Sequence, residues 1–520
     1  MALLLLGSDN LAEALKRQGF EVITCACSQD ADIPLSSPDP DWPEVASRLR
    51  RLGVKAETLL LCDRIGGRVL PTGLWAAPLT TVFYGLDSPL NFFWQEPYSR
   101  LFDIAALDQK EQAQSLGRGK NDRHWLPVAV EPSLYQGRPA SPGEAGVCFV
   151  GVVDENIRPK RSAVLAKVKG LARLKVGGGR QGQWLATEKA VGLYQGFQIS
   201  LNENLFPGVT TRPLEIMAAG GCLLSEAAPG QMDLFFSHGR HLFYYTPGTL
   251  EEELKYLLAD PDLRARLARQ GREEVLARHS FARRAEEIAA WLARPAPAGR
   301  AAGEEAWAAE GESLLWAGLR WPDQAAKRLE RALGRLRLAA RSHPCPRVFW
   351  LLGLNEASLG QWPQALTSLA QAHELGAGSS QAPLFALSLS LALYENGRPE
   401  KGREILRRLG VRSDPGQAAF HARAARLLDE AGCAFTPGFS RRRLWPGAWN
   451  SLEHWSEAAA LSKDDKKEQA PLLLELGRLL LRINAPNQAW DCFRLARNLG
   501  CRAPDLEDLL NRSGREGYIL

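Results

Sequence analysis

Apolar positions in the first 135 residues fall in short unbroken runs separated by helical patterns. "LLLLG" near the start is followed by "NLAEALKRQG", which has helical spacing, and then by "FEVITCA". "TLLLCD" (58–63), "LTTVFYG" (79–85) and "FDIAALD" (102–108) continue the series. Runs that are apolar at every position suit strands covered on both faces. Their alternation with helices predicts βαβ units and a parallel sheet. The series then repeats. "GVCFVGVV" (146–153), "LARLKVGGG" (171–179), "FQISLNE" (197–203), "GGCLLSE" (220–226) and "LFYYT" (242–246) predict five more strands, with helices starting near Pro159, Glu188 and Arg212. "GRPASPGEAG" between the two stretches reads as a linker.

After "RPAPAGRAAGEEA" (294–306), rich in Pro, Ala and Gly, the strand signals end. From 306 to 520 the chain reads as paired amphipathic helices. "WLLGLNEASLGQWPQALTSLAQAHELG" (350–376) places Gly360 ahead of Ala365, Leu369 and Ala372. "ALSLSLALYENGRPEKGREILRRLG" (386–410) repeats the outline with Gly397 and Gly402, and a stretch at 472–500 does so with Ala489 and Ala496. This resembles tetratricopeptide repeats, in which small residues let two antiparallel helices approach closely. The step to the third copy is irregular, so the repeat is degenerate. A helical bundle without a repeat is the alternative.

At 520 residues the chain is too long for one core, and two to four domains are expected. A net charge of +5 is small for this length and gives no case for nucleic-acid binding. Nine cysteines are scattered, and the only close pair, Cys25 and Cys27, sits in the apolar "VITCACS". Buried thiols at a strand end are expected there rather than a metal site. An odd, unpaired count fits a reducing cytoplasm. The opening apolar run is too short for a signal peptide, and no run approaches a membrane span.

The densest chemistry lies in "TTRPLEIMAAGGCLLSE", Thr210 to Glu226. In a doubly wound sheet, ligands sit at the C-terminal ends of strands, against helix N-termini. Pro213 suits a first helical turn, Gly220 and Gly221 suit the helix end, and "CLLSE" is the next strand. Glu215 is then expected in the first turn, favoured by the helix dipole. A carboxylate there can accept two hydrogen bonds from a vicinal diol such as a ribose. Each charge-assisted bond contributes about 1.5–3 kcal/mol. A plain role at the helix N-terminus is the alternative. Arg158, Lys160 and Arg161 follow the second stretch's first strand, and Arg212 lies near Glu215; guanidinium forks match phosphate geometry. A solvated basic turn is the other reading of "RPKR". "VGGGRQG" (176–182) could approach phosphates or be a plain strand-to-helix turn. The Asp-Pro-Asp triplets at 39–41 and 260–262 read as helix N-caps, not metal ligands.

"RPLEIMAAGGCLLSE" looks like the nucleotide-binding segment of group 1 glycosyltransferases of the GT-B fold. It is closest to the spore-maturation CgeB-like branch, whose segment runs roughly N-x-R-x-x-E-x-x-A-x-G-x-x-L. Thr210 replaces the Asn, while Arg212, Glu215, Ala218 and Gly220 match. "VCFVGVVDENIRPKRSAVLAKV", "EKAVGLYQGFQISLNEN" and the tail from "GRHLFYYTPGTLEEEL" to "HSFARRAEEI" fit the same family in order, as do "VFYGLDSPLNFFW" and "LFDIAALDQKEQAQSLGRG" before them. The resemblance covers about residues 75 to 292. It implies a nucleotide-ribose contact at Glu215 and nucleotide-sugar contacts at Arg212, Thr211, Thr210, Arg158, Lys160, Arg161 and Gly151. Many relatives carry a second Glu eight positions earlier. Pro207 stands there, so the usual sugar contact is unassigned.

Glycosyl transfer often needs a base for the acceptor hydroxyl. Asp87 in "YGLDSPLNF" is the first candidate, with an Asx turn before Ser-Pro as its alternative; His124 before "WLPVAV" is the second. His238 and His241 read as surface residues. The expected architecture is α/β: a Rossmann-like, acceptor-side domain (1–138), a Rossmann-like nucleotide-sugar domain (139–278), a cross-over helix and linker (279–300), and a tetratricopeptide-like α-helical domain (301–520). The expected activity is a cytoplasmic glycosyltransferase using a nucleoside diphosphate sugar, with a protein or glycan acceptor and no metal or other cofactor. The helical region would recruit a protein partner through its groove. A catalytically degenerate scaffold is the alternative.

Overall fold

The opening leucines form the centre of a seven-stranded sheet. β1 (Ala2–Gly7), buried along its whole length, pairs in parallel with β2 (Glu21–Ala26) on one side and β4 (Thr58–Cys62) on the other. β3 (Ile33–Pro34), β5 (Thr80–Gly85), β6 (Ile104–Leu107) and β7 (Asp122–Trp125) complete the order β3-β2-β1-β4-β5-β6-β7. Helices α1 (Ala12–Arg17), α2 (Trp42–Arg51), α3 (Ser88–Ser99) and α4 (Lys110–Ser115) make crossovers. The edge strands β3 and β7 have no counterpart in the apolar runs. β3 is two residues long, and every residue of β7 is half-exposed, so neither needs a continuous apolar stretch. This computed structural model describes the chain except residues 64–67, 118–120, 136–143, 154–158, 179–184, 207, 247, 295–298, 434–440, 442–443, 484 and 517–520. The linker expected after residue 136 therefore lies largely outside the described residues.

A second parallel sheet has the order β12-β11-β10-β8-β9. Its strands are β8 (Glu144–Val150), β9 (Leu174–Gly177), β10 (Phe197–Asn202), β11 (Leu223–Glu226) and β12 (Phe243–Tyr245). α5 (Pro159–Leu171), α6 (Thr187–Gly196), α7 (Thr211–Ala218), α8 (Leu250–Ala259) and α9 (Pro261–Arg278) follow these strands. Both sheets reverse strand order internally, at β1/β4 and at β8/β10, which is where doubly wound sheets open a crevice. α10 (Phe281–Leu292) then returns to the first sheet. Its Ala285, Ile288 and Trp291 share one buried cluster with Leu3, Leu5 and Leu15. Arg284 Nε donates to Pro127 O at 2.6 Å. The two Rossmann-like sheets and the back-crossing helix form the expected GT-B arrangement.

A helix-rich region follows. Successive helices pair as α11 (Gly303–Arg320) with α12 (Ala325–Ser342), α13 (Pro346–Ser358) with α14 (Trp362–Leu375), α15 (Ala382–Glu395) with α16 (Pro399–Arg408), α17 (Ala418–Glu430) with α18 (Ser451–Leu461), and α19 (Lys466–Arg482) with α20 (Pro486–Asn498). α21 (Leu506–Glu516) packs on α20. Glycines set the spacing within pairs. A Cβ at Gly353 would lie 2.6 Å from Leu369, and one at Gly477 would lie 2.4 Å from the Phe493 ring. Gly360 and Gly397 serve differently: both have positive φ and turn the chain between paired helices.

By contacts the chain divides into two units. One holds Met1–Pro89 and Phe102–Gly299; the other holds Leu90–Leu101 and Arg300–Gly517. Most of α3 thus clusters with the helical region. Phe93 and Trp94 each lie 6.1 Å from the Trp321 ring, and Arg100 O accepts from Ala301 N at 2.8 Å. Within the same unit, Arg441 and residues 444–450 lie against the first helices of two pairs. The Arg441 guanidinium sits 4.1 Å over the Trp316 ring of α11. Ser388 of α15 donates to Gly447 O at 2.6 Å and receives the indole N–H of Trp350 from α13 at 2.9 Å. Burial holds the Arg441 guanidinium down to about 10.

Candidate functional site

Acids close several buried strands on the crevice side. In the first sheet Asp63, Asp87 and Asp108 follow β4, β5 and β6. Asp108 is buried, and its carboxylate accepts from the backbone N–H of Asp87 (2.9 Å) and Ser88 (3.0 Å) and from the Ser88 hydroxyl (2.5 Å). It therefore holds the start of α3 from a neighbouring strand. Asp87 has φ 50, the one non-glycine with positive φ among the described residues. Such conformations are rare outside Gly, Asn and Asp, and mark held geometry. Burial, reinforced by the nearby Asp108 carboxylate, raises the Asp87 carboxyl to about 7.

Glu215 lies in the second turn of α7, not in its first as expected from sequence. The helix begins at Thr211, two residues before Pro213, and has no acid in its opening turn. The helix dipole therefore does little for this carboxylate. Burial raises its pKa and the Arg212 guanidinium opposes the rise. Glu215 is half-buried, and its carboxylate makes no hydrogen bond or ion pair with another described residue. Tyr135 and Tyr194, both buried, are close enough to feel its charge. Thr210 is the N-cap, with no side-chain capping bond, and Thr211 is exposed.

The predicted cations are present but engaged. Arg212 Nη1 donates to Asn202 Oδ1 at 3.0 Å, and its guanidinium lies 4.9 Å over Phe149. Gly151 makes this fit possible, since a Cβ there would lie 2.8 Å from Arg212 Nη2. Arg161 covers the same ring at 5.2 Å and pairs with Glu203 at 2.8 Å. Lys160 Nζ lies 3.0 Å from Glu203 and 3.1 Å from Glu226, and donates to Asn204 O at 2.5 Å. Burial raises Glu226 to about 7 against the pull of Lys160. Arg158, Pro207 and the last four residues of "VGGGRQG" (179–182) lie outside the described residues.

His124 is placed elsewhere. Its Nε2 is 2.8 Å from Asp122 Oδ2, and its ring stacks on Trp291 of α10 with centroids 4.1 Å apart. Three smaller expectations also change. Cys25 is buried but Cys27, beyond the end of β2, is exposed. His241 is buried and accepts from Ser237 N, because the turn folds inward. Asp260 caps α9 through Leu263 N, whereas Asp41 sits at the N-cap of α2 but bonds Thr72 instead. Sequence reading passed over Asp108, Gln109, Glu203 and Glu226. Three of them are acids that close an apolar run, and that position was the available signal.

One lobe thus carries a strained acid, and the other a half-buried carboxylate without a protein donor and guanidiniums stacked on one ring. Residues 160–290, which carry the second set, match the profile of a family described as "Glycosyl transferase-like". Solved structures resemble the chain over its α/β part. Sucrose-phosphate synthase from Thermosynechococcus elongatus is 11% identical, covers 56% of this chain and 98% of its own, and has a TM-score of 0.42. A glycosyltransferase from Rickettsia africae is also 11% identical, covers 56% and 97%, and scores 0.40. The Anabaena protein HepE in complex with UDP-glucose is 12% identical, covers 56% and 99%, and scores 0.39. No curated protein sequence matches the chain.

Proposed function

We propose that the chain transfers a sugar from a nucleoside diphosphate sugar to an acceptor hydroxyl. The observation that carries this reading is the Glu215 carboxylate, half-buried yet without a hydrogen-bond partner among the described residues. A carboxylate that the protein leaves without a donor keeps its lone pairs for a ligand. A vicinal diol of a ribose supplies two donors of the right kind. Its place inside the glycosyl-transferase-like segment supports the assignment. Arg212, with Thr210, Thr211 and Gly151, borders the diphosphate, and Arg158 is retained as a contact on the resemblance alone. Lys160 and Arg161 act through their carboxylate partners. As the donor bond breaks, its electron pair leaves with the diphosphate, the acceptor oxygen bonds the sugar carbon, and its proton passes to Asp87. An acid titrating at about 7 is suited to that proton transfer. His124 has no part in this scheme.

The reading extends to a CgeB-like branch, a cytoplasmic setting, a tetratricopeptide-like tail and no metal requirement. The nine cysteines, none in a disulfide, support the setting. A protein or glycan acceptor is proposed. A protein partner would meet the helical region away from the face that Arg441 and residues 444–450 cover. A second reading, a catalytically degenerate scaffold, is favoured by one observation: Lys160 and Arg161 are already paired with Glu203 and Glu226. Calorimetry with UDP-, GDP- and dTDP-sugars, followed by a hydrolysis assay, separates the two. Binding lost in Glu215→Ala, with hydrolysis by the parent chain, supports the transferase. No binding of any nucleotide supports the scaffold.

A further inference from the structure

Gln109 follows Asp108 at the end of β6 and is buried at 1% exposure. Its side-chain amide reaches a residue 100 positions away on the other lobe. Nε2 donates to Val209 O at 2.8 Å, and Oε1 accepts from Val209 N at 2.9 Å. The second Nε2 hydrogen goes to Asp108 Oδ2 at 3.0 Å. Both donors of the amide are used, and its acceptor is bonded. The other side of the contact is shaped to match. A Cβ on Gly208 would lie 2.6 Å from Gln109 Oε1, so the approach requires glycine there.

We infer that Gln109 is a positioning residue that latches the two lobes in register across the crevice. The hydrogen bonds form one continuous path. It runs from the backbone of Asp87 and Ser88 to the Asp108 carboxylate, through the Gln109 amide, to Val209. Val209 is one residue from Thr210, the N-cap of the helix that carries Arg212 and Glu215. The latch thus ties the acid of one lobe to the donor-side helix of the other. Crevice enzymes that hinge need such contacts to break and reform, and misplacing two half-sites slows a reaction that depends on their alignment.

The assignment of a catalytic consequence rests on the proposed transferase reading; the latch itself does not. The test uses the full chain with Gln109→Met, which keeps length and removes the bonds, and Gly208→Ala, which crowds the amide. Amide exchange at Val209 should accelerate in both by about tenfold, the factor that one net hydrogen bond is worth. Nucleotide affinity should stay within about twofold while sugar transfer falls about tenfold, the split expected when alignment rather than binding is lost. Unchanged Val209 exchange in both variants overturns the latch. Nucleotide affinity falling in step with transfer overturns its positioning role. A parent chain that binds no nucleotide overturns the transferase reading, and exchange at Val209 still decides the latch.

Discussion

Asp87 combines a left-handed backbone with a carboxyl held near 7 by burial and by Asp108. Its folded-state pKa lies above the ordinary 3.8. Its contribution to stability is therefore present below about pH 4 and is lost as pH rises through about 7. Asp87→Asn keeps the tolerance for positive φ and removes the charge. Its melting temperature should rise relative to the parent between pH 5 and pH 8, as read by thermal denaturation at both. If Asp87 is the base, the pH–rate profile of transfer should also lose its limb near pH 7 in this variant. For Glu215→Gln, donor affinity should fall about tenfold or more, since a bond to a charged acceptor contributes about 1.5–3 kcal/mol; calorimetry checks it. Glu215 and Arg212 stood out as candidates because helix, glycines and strand surround them in one stretch. Gln109 was not, because its partner lies 100 residues on and nothing local marks a side chain that bonds a distant backbone.

At the level of elements, strand and helix positions followed the apolar pattern closely where strands were buried on both faces. β8, β10 and β11 fall within or beside the runs that predicted them. The pattern failed at the edges, where β3 and β7 need no apolar continuity. At α7 the start near Arg212 and Pro213 in the first turn both hold, and only Glu215 falls a turn later than expected. The paired helices allow a test of how tightly they meet. Gly477→Ala should destabilise the helical region by about 1–3 kcal/mol, because its Cβ would press on the Phe493 ring. Gly334, exposed on α12, offers the control, since an added Cβ would meet nothing within 4 Å. Gly334→Ala should stabilise by about 0.4–1 kcal/mol through the unfolded chain. Urea titration followed by tryptophan fluorescence measures both.

For the whole molecule, sequence composition drew a boundary near residue 300, and contacts draw a more entangled one. Leu90–Leu101 cluster with the helical region although β5 and β6 on either side belong to the first sheet. A fragment ending at residue 299 would leave Phe93 and Trp94 without Trp321. Its expected behaviour is poor solubility and strong binding of a hydrophobic dye, compared with the full chain at equal concentration. The segment seated on α11 and α15 has a different bearing. Because Arg441 and residues 444–450 are tethered to the surface they cover, their effective concentration there is on the order of millimolar or above. A free peptide offered to the same face competes against that standing excess. Peptide-library screens against the intact chain should therefore return few hits on this face, and the search for binding partners is better directed at the outer helices.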